Sequence, residues 1–348
     1  MKGGEEMLKR RSVLISLLAM TCFAGAASAD GAALVEAAKK EGKVIWYSSV
    51  NVDAVVRPMA AAFEARYGIP VEYVTAGATD LAARLINEAQ VGQVGGDVWD
   101  GSSTFPTLDA AGLTDAYKSP SAASFPAELR AADGKWYAQS VQYYGPAINT
   151  ELVPKSDWPK TYQDLLNPRW NGKMAWPAET GMTSPVGLMV VLANALGDEQ
   201  AKAFMEQLSA QKVANVPSGN RVVLDQAIAG EYEIAMMAQN IAVESSKEKG
   251  APIEFLRLDP AVGVTSRIGV VKGGPNPNAA RLFLDFVLSE DGQNVYRDAG
   301  YIPSNPAVAP ANPALAPATG NFKGAMLDLE DFTEKKDHWV SVFESQFQ

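Results

Sequence analysis

The hydrophobic and polar positions alternate between a strand-like and a helix-like period from residue 44 onwards. The extended run "KVIWYSS" precedes apolar residues at helical spacing in "DAVVRPMAAAFEARYG", and "VEYVTA", "TDLAARLINEAQ" and "GDVWDGSS" repeat the change. Gly68 predicts the end of the first of these helices, and Thr79 with Asp80 predicts the cap of the next. This order predicts a mainly parallel sheet with helices on both faces.

The second half of the chain predicts the same arrangement. "SVQYYGPAIN" and "NGKMAWPAET" are extended runs, and "MTSPVGLMVVLANALG" predicts a helix with Ser184 as its N-cap and Gly197 at its end. A helix that follows Asn220 and stops at Gly230 precedes the strand "EIAMMAQN". A last strand and amphipathic helix lie in "GVTSRIGVVKGGPNPNAARLFLDFVLS". We therefore predict an α/β fold of two lobes.

Small polar residues follow the predicted strands, at the sheet edge where such folds bind ligands. They precede or begin helices, whose free backbone N–H groups attract anions and polar oxygens. Ordinary helix capping uses the same residue types, so that interpretation also stands. Two facing polar edges predict a cleft between the lobes. The candidate ligand residues at these edges are Ser48, Gly77, Ala78, Ser102, Thr183, Ser184 and Asn220.

The N-terminal segment predicts export. Lys9, Arg10 and Arg11 precede an uncharged stretch that ends in Ala27-Ser28-Ala29, which is typical of a cleaved signal peptide over residues 1–29. Both the general secretory and the twin-arginine route fit this segment. Its removal takes away four basic and two acidic residues, so the net charge changes from −10 to −12. Such an acidic chain is a poor partner for nucleic acid.

The composition excludes several kinds of catalyst. Cys22 is the sole cysteine and lies in the signal segment, and His338 is the sole histidine. Thiolate sites and multi-histidine metal sites are therefore impossible in the mature chain, and we expect neither a metal nor a cofactor. A carboxylate-based hydrolase that uses Asp97 and Asp100 is an alternative. It is disfavoured because residues three apart on a strand point to opposite faces.

Several segments, in order, resemble one family. They are "EGKVIWYSSV", "LAARLINEAQVGQVGGDVWDGSS", "YYGPAINTELVP", "TYQDLLNPRWNGKMAWPAETG", "QAIAGEYEIAM", "VVKGGPNPNAARLFLDFVLSEDGQ" and "AGYIPSNP". Together they resemble the extracellular solute-binding proteins of ABC importers, in the branch that includes ferric-ion-binding proteins. The resemblance implies a class II periplasmic-binding fold, in which two lobes close on a small ligand by hinge motion.

The resemblance also implies a domain division, a location and partners. We expect lobe 1 to comprise residues 30–138 plus 263–305, and lobe 2 to comprise residues 139–262 plus 306–348. The expected protein is a periplasmic monomer that is not an enzyme, delivers its ligand to an ABC permease in the inner membrane and does not bind nucleic acid.

One departure from the family pattern bears on the ligand. Iron-binding members place adjacent tyrosines just after the strand that follows the "GEY" helix end, where this chain has Met237-Ala238-Gln239-Asn240. Fe(III) without phenolate oxygens there loses strong ligands. We therefore expect a small polar or anionic organic solute, such as a phosphonate or a sugar phosphate, with Fe(III) as the alternative. Tyr143, Tyr144 and Gln239 complete the candidate ligand residues.

Overall fold

The fold is an α/β succession, seen in a computed structural model that describes residues 31–347. The predicted signal peptide lies outside the described residues. A helix over residues 31–41, α1, comes first, and a π-helical turn, Val52–Val56, leads into α2. The elements of the first lobe are then β1 (Val44–Ser48), α2 (Arg57–Tyr67), β2 (Val71–Thr75), α3 (Ala78–Gln90), β3 (Val98–Asp100), α4 (Thr104–Ala110) and β4 (Thr114–Asp115).

A long strand opens the second half, and further α/β units follow it. They are β5 (Tyr137–Asn149), β6 (Met174–Pro177), α5 (Pro185–Leu196), α6 (Asp198–Ser209), β7 (Ala214–Val216), α7 (Asn220–Ile228), β8 (Ile234–Gln239), α8 (Asn240–Glu248) and β9 (Ile253–Phe255). The chain ends with β10 (Ala261–Val271), α9 (Pro277–Leu288), α10 (Glu290–Asp298), β11 (Ile302–Pro303), α11 (Pro317–Gly320), β12 (Gly324–Met326) and α12 (Leu329–Phe347).

Two parallel half-sheets are joined by two long antiparallel strands. The strand order is β2-β1-β3-β10-β5-β8-β6-β7. β1 pairs in parallel with β2 and β3, and β6 pairs in parallel with β7 and β8. Between these halves β10 runs antiparallel to β5, from Val262 opposite Tyr144 to Ile268 opposite Tyr137. The predicted two-lobed α/β architecture is confirmed, and β5 and β10 carry the chain from one lobe to the other.

Large buried aromatic side chains hold each part of the sheet to its helices. Trp46, Phe63 and Phe283 pack together in the first lobe, with ring centroids 5.1 to 5.2 Å apart for each ring against Phe283. In the second lobe Trp176 packs on Phe343 of α12, and α12 also lies against α5 and α6. Such rings contribute large buried areas, which is how a chain without disulfides in this region is stabilised.

Most predicted helix ends are found, and one is wrong. α2 ends before Gly68, and α5 has Ser184 as its N-cap and Gly197 as its C-cap. The cap predicted at Thr79 and Asp80 is an error, because α3 begins at Ala78 and its N-cap is Gly77 in an extended conformation. Asp80 lies instead in the first turn, where a negative charge interacts favourably with the helix dipole.

Two further features of residues 31–347 concern the surface. His338 is exposed on α12. No helix in this range combines the length and the apolar character that crossing a membrane requires.

Candidate functional site

A buried carboxylate organises the strand ends of the first lobe. Asp100 accepts hydrogen bonds from Ser48 Oγ at 2.6 Å, from Ser49 N at 2.7 Å and from Ser49 Oγ at 2.7 Å. Burial raises the pKa of Asp100, and the hydrogen bonds from the two serines oppose that rise. Asp100 is therefore a capping residue of the β1 loop. Ser48 is fully buried and its hydroxyl already donates to Asp100, so its role is to stabilise this edge of the sheet.

The turn after β3 brings the start of α3 to the same place. Gly101 has φ of 127°, and a Cβ there would lie 2.4 Å from Thr104 Oγ1 and 2.8 Å from Ala78 Cβ. This close approach sets Gly77 and Ala78 beside Ser102. Gly77 is exposed, and Ala78 and Ser102 are half-buried, so these three residues form the accessible part of the first-lobe edge.

Asn220 ties together three segments at the facing edge of the second lobe. Its Nδ2 donates to the carbonyl oxygens of Thr183 at 2.8 Å and Met237 at 2.5 Å. The entry to α5, the start of α7 and the end of β8 therefore meet at one side chain. Ser184 is fully buried, accepts from Val186 N and donates to the Gly181 carbonyl oxygen, which is the geometry of a helix cap.

A cavity of about 300 Å³ lies at this second-lobe edge. Three predicted ligand residues, Tyr144, Asn220 and Gln239, converge in it. Arg221 also lines the cavity, although its guanidinium pairs with Asp225 one turn along α7. A larger cavity of about 380 Å³ lies between α8, the end of α10 and the C-terminal tail, and its lining contains none of the predicted ligand residues.

One residue of this edge, Gln142 on β5, was missed by sequence reasoning. Its Oε1 accepts from Tyr144 OH at 3.0 Å and from Gln239 Nε2 at 2.8 Å. Tyr144 lies opposite Gln239 in the register of β5 and β8. Strand alternation was the signal that could have found it, because residues two apart share a face. Burial raises the pKa of Tyr144 well above its usual value, so its phenol is neutral at physiological pH.

The adjacent tyrosines have different environments. Tyr143 packs edge-on against Phe322, with ring centroids 5.3 Å apart, and its hydroxyl lies 3.8 Å from Met326 Sδ. Burial raises its pKa to about 12. Successive strand residues point to opposite faces, which is why Tyr143 enters the core while Tyr144 lines the cavity. Tyr143 packs in the core and does not line this cavity, and its ligand role stays a prediction.

Arg267 is a buried cation on the long strand that joins the two half-sheets. The residue is 3% exposed on β10, and its guanidinium lies 3.9 Å from the centroid of the Trp136 ring. Asp328 and Glu330 approach it at 3.9 and 3.8 Å, which is beyond hydrogen-bond distance. Arg267 thus stacks between the first lobe and the start of α12. Arg221 and Lys272, by contrast, are exposed.

The buried acidic residues Asp97 and Asp100 hold neighbouring loops in the part of the chain that the structure describes. Within residues 31–347, no three histidine, cysteine or acidic side chains come close enough to hold a metal ion. Asp97 is fully buried and accepts from Ile45 N, Asn276 N and Asn276 Nδ2 at 2.6 to 2.8 Å. Asp97 and Asp100 therefore both use their oxygens to hold neighbouring loops.

A two-lobed α/β fold with polar strand ends and a cavity beside them defines a solute-binding protein. The chain belongs to the bacterial extracellular solute-binding protein family, whose model matches residues 58–323. The Fe(3+)-binding periplasmic protein of Serratia marcescens is 21% identical over 293 residues, covering 82% of each chain. An uncharacterized Haemophilus influenzae protein is 26% identical over 280 residues, covering 77% of this chain and 79% of that one.

Solved structures with the same fold hold different ligands. Iron-bound HitA from Pseudomonas aeruginosa superposes with a TM-score of 0.71 at 22% identity, covering 88% of this chain and 99% of that one. AfuA from Actinobacillus pleuropneumoniae, with exogenous fructose-6-phosphate bound, gives 0.68 at 21% identity, covering 88% of this chain and 98% of that one. At these identities the similarity establishes the fold alone, so the ligand has to be argued from this chain's own residues.

Proposed function

We propose that this protein is the periplasmic substrate-binding component of an ABC importer and captures a small polar or anionic organic solute. The observation that carries the proposal is the cavity at the second-lobe edge, where Tyr144, Asn220 and Gln239 present uncharged polar groups. The predicted signal peptide and the periplasmic Serratia marcescens relative support the location. The family supports a role in binding and delivery to a membrane permease rather than in catalysis.

The ligand is held between the two edges. From the first lobe, Gly77, Ala78 and Ser102 offer backbone N–H and hydroxyl groups. From the second lobe, Thr183 and Asn220 lie beside the starts of α5 and α7, and Tyr144 and Gln239 line the cavity. Ser48 and Ser184 support these contacts through their buried hydrogen bonds. A ligand that touches both lobes stabilises the arrangement in which they are close.

An organic solute fits the cavity better than Fe(III). Ferric iron favours hard, ionised oxygen ligands, whereas the Tyr144 phenol has a raised pKa, keeps its proton and donates a hydrogen bond to Gln142 Oε1. β8 ends in glutamine, Gln239, so it supplies no tyrosine that could act as an iron ligand at that position. Relatives with iron in their names keep Fe(III) as the alternative to be tested.

A thermal-shift screen of the mature chain tests the proposal. The panel is fructose 6-phosphate, methylphosphonate, inorganic phosphate and ferric citrate. We expect an organic compound to raise the melting temperature, because ligand at about 100 times its Kd adds about 2.7 kcal/mol to stability. A visible charge-transfer band with ferric citrate, without a shift from any organic compound, would establish the iron alternative instead.

A further inference from the structure

A short hydrogen-bonded chain of side chains lies at the second-lobe cavity. Its centre is Gln142, whose Oε1 accepts from both Tyr144 OH and Gln239 Nε2. Tyr144 and Gln239 line the cavity, and Gln142 is half-buried directly beside them. Within residues 31–347, Gln142 Nε2 and Gln239 Oε1 have no protein partner. One amide donor and one amide acceptor are therefore left for whatever binds above them.

One free donor and one free acceptor remain if the hydrogen bonds among these three side chains run in the opposite direction. When both amide groups are flipped by 180°, Gln142 Nε2 donates to Tyr144 OH and to Gln239 Oε1. Gln142 Oε1 and Gln239 Nε2 are then the free groups. A hydroxyl group both donates and accepts, so neighbouring hydroxyls satisfy the free groups in either direction. A carboxylate or phosphate accepts only and a metal ion needs acceptors only, so each leaves one amide group unsatisfied.

Carboxylate oxygens lie beside the starts of α3 and α7, and they also favour hydroxyl groups on the ligand. Asp80 Oδ2 lies 3.3 Å from the Cβ position of Gly77 at the start of α3. Glu179 Oε1 lies 3.6 Å from the Cβ position of Gly219 at the start of α7. Carboxylate oxygens at these positions accept hydrogen bonds from the hydroxyl groups of a ligand that lies between the two edges.

We propose that Gln142 is a specificity-determining residue, and that the chain Tyr144–Gln142–Gln239 selects solutes with neighbouring hydroxyl groups, as in sugars and their phosphates. The inference rests on the proposed function, because it names the class of solute for the same cavity. It assigns to Gln142 both the positioning of Tyr144 and Gln239 and a direct contact with the ligand.

Matched ligands of equal charge test the inference by titration calorimetry on the full mature chain. Fructose 6-phosphate and butyl phosphate share the phosphate group and differ in hydroxyls. We expect fructose 6-phosphate to bind at least about tenfold more tightly, because a site built to hydrogen-bond hydroxyls rejects an analogue without them. Equal affinity for the two compounds would overturn the inference, while any binding at all would leave the proposed function intact. Binding of no organic compound in the panel would overturn both.

Two substitutions separate the roles of Gln142. Gln142→Glu keeps an acceptor for Tyr144 and Gln239 but removes the donor and adds a negative charge. The charge weakens both phosphate ligands alike, so the fructose 6-phosphate affinity should fall about tenfold further than the butyl phosphate affinity. Gln142→Leu should abolish the preference between the two compounds. Gln207→Leu, on the exposed face of α6, is the control and should change neither affinity. Circular dichroism confirms folding, and an unaltered preference in both folded Gln142 variants would contradict the proposal.

Discussion

At the residue scale, the buried carboxylate of Asp100 makes stability depend on pH. Burial raises its pKa above the ordinary value of 3.8, so the folded protein holds this proton to a higher pH than the unfolded chain does. The contribution to stability is fully present below pH 3.8 and is lost as pH rises through the raised pKa. Asp97 and Asp285 are shifted in the same direction by burial.

The substitution Asp100→Asn isolates this effect. The amide does not titrate, so the melting temperature of the parent should fall relative to that of Asp100→Asn as pH rises from about 4 towards neutrality. The variant loses one acceptor for Ser48 or Ser49, which lowers its stability by an amount that does not depend on pH. Melting curves across this range give the difference. A constant difference between the two proteins would show that Asp100 does not titrate there.

The two serines at the cleft edges have different expected roles. Ser184 is buried and caps α5, so Ser184→Ala should lower the unfolding free energy by about 1 kcal/mol and leave ligand affinity unchanged. Ser102 is half-buried at the first-lobe edge, so Ser102→Ala should weaken binding about tenfold with little change in stability. Melting temperature and Kd are measured on both variants. The opposite pattern would exchange the two assignments.

At the element scale, the entry to α5 depends on the absence of a side chain at Gly187. A Cβ at this position would lie 1.9 Å from the Met182 carbonyl oxygen, which is backbone and cannot rotate away. Alanine favours a helix over glycine by about 1 kcal/mol, but the clash outweighs that gain. The segment 180–184 must therefore move if any side chain is added.

We expect Gly187→Ala to destabilise the protein by about 2 kcal/mol and to weaken ligand binding. The displaced segment carries the Thr183 carbonyl oxygen away from Asn220, which accounts for the loss of affinity. Denaturant unfolding and calorimetry measure the two effects. Ala195→Gly, on the exposed end of α5, is the control and should cost about 1 kcal/mol of stability with affinity unchanged. A more stable Gly187→Ala variant would contradict this prediction, because it would show that segment 180–184 moves aside without loss of stability.

At the scale of the whole molecule, two long strands allow the lobes to move together around a ligand. β5 and β10 connect the half-sheets, and the candidate contacts come from both sides of that connection. Ligand that bridges the edges should lower the radius of gyration measured by small-angle scattering. Fructose 6-phosphate at saturation should produce this decrease, whereas butyl phosphate at the same concentration should not. An unchanged radius with saturating ligand would argue for a site within one lobe.

Local patterns in the sequence determined much of the architecture. Period-2 and helical spacing predicted seven of the described strands and five of the described helices, because alternation and helical repeat are set by the chain itself. Gly68, Ser184 and Gly197 marked helix ends correctly, since capping depends on neighbouring residues. The lack of cysteine outside the predicted signal peptide excluded thiolate chemistry there. The glutamine at position 239, in place of a tyrosine, weakened the case for iron before any fold was known.

Contacts between distant residues decided what the candidate side chains do. Ser48 is occupied because Asp100, 52 residues away, comes to lie beside it, and Gln142 gains its role from Gln239, which is 97 residues away. Arg267 is buried because Trp136 provides a ring to stack on, and Tyr143 enters the core because strand pairing sets its face. Sequence spacing carries no information on such pairings, since they depend on sheet register and on which surfaces the lobes bury.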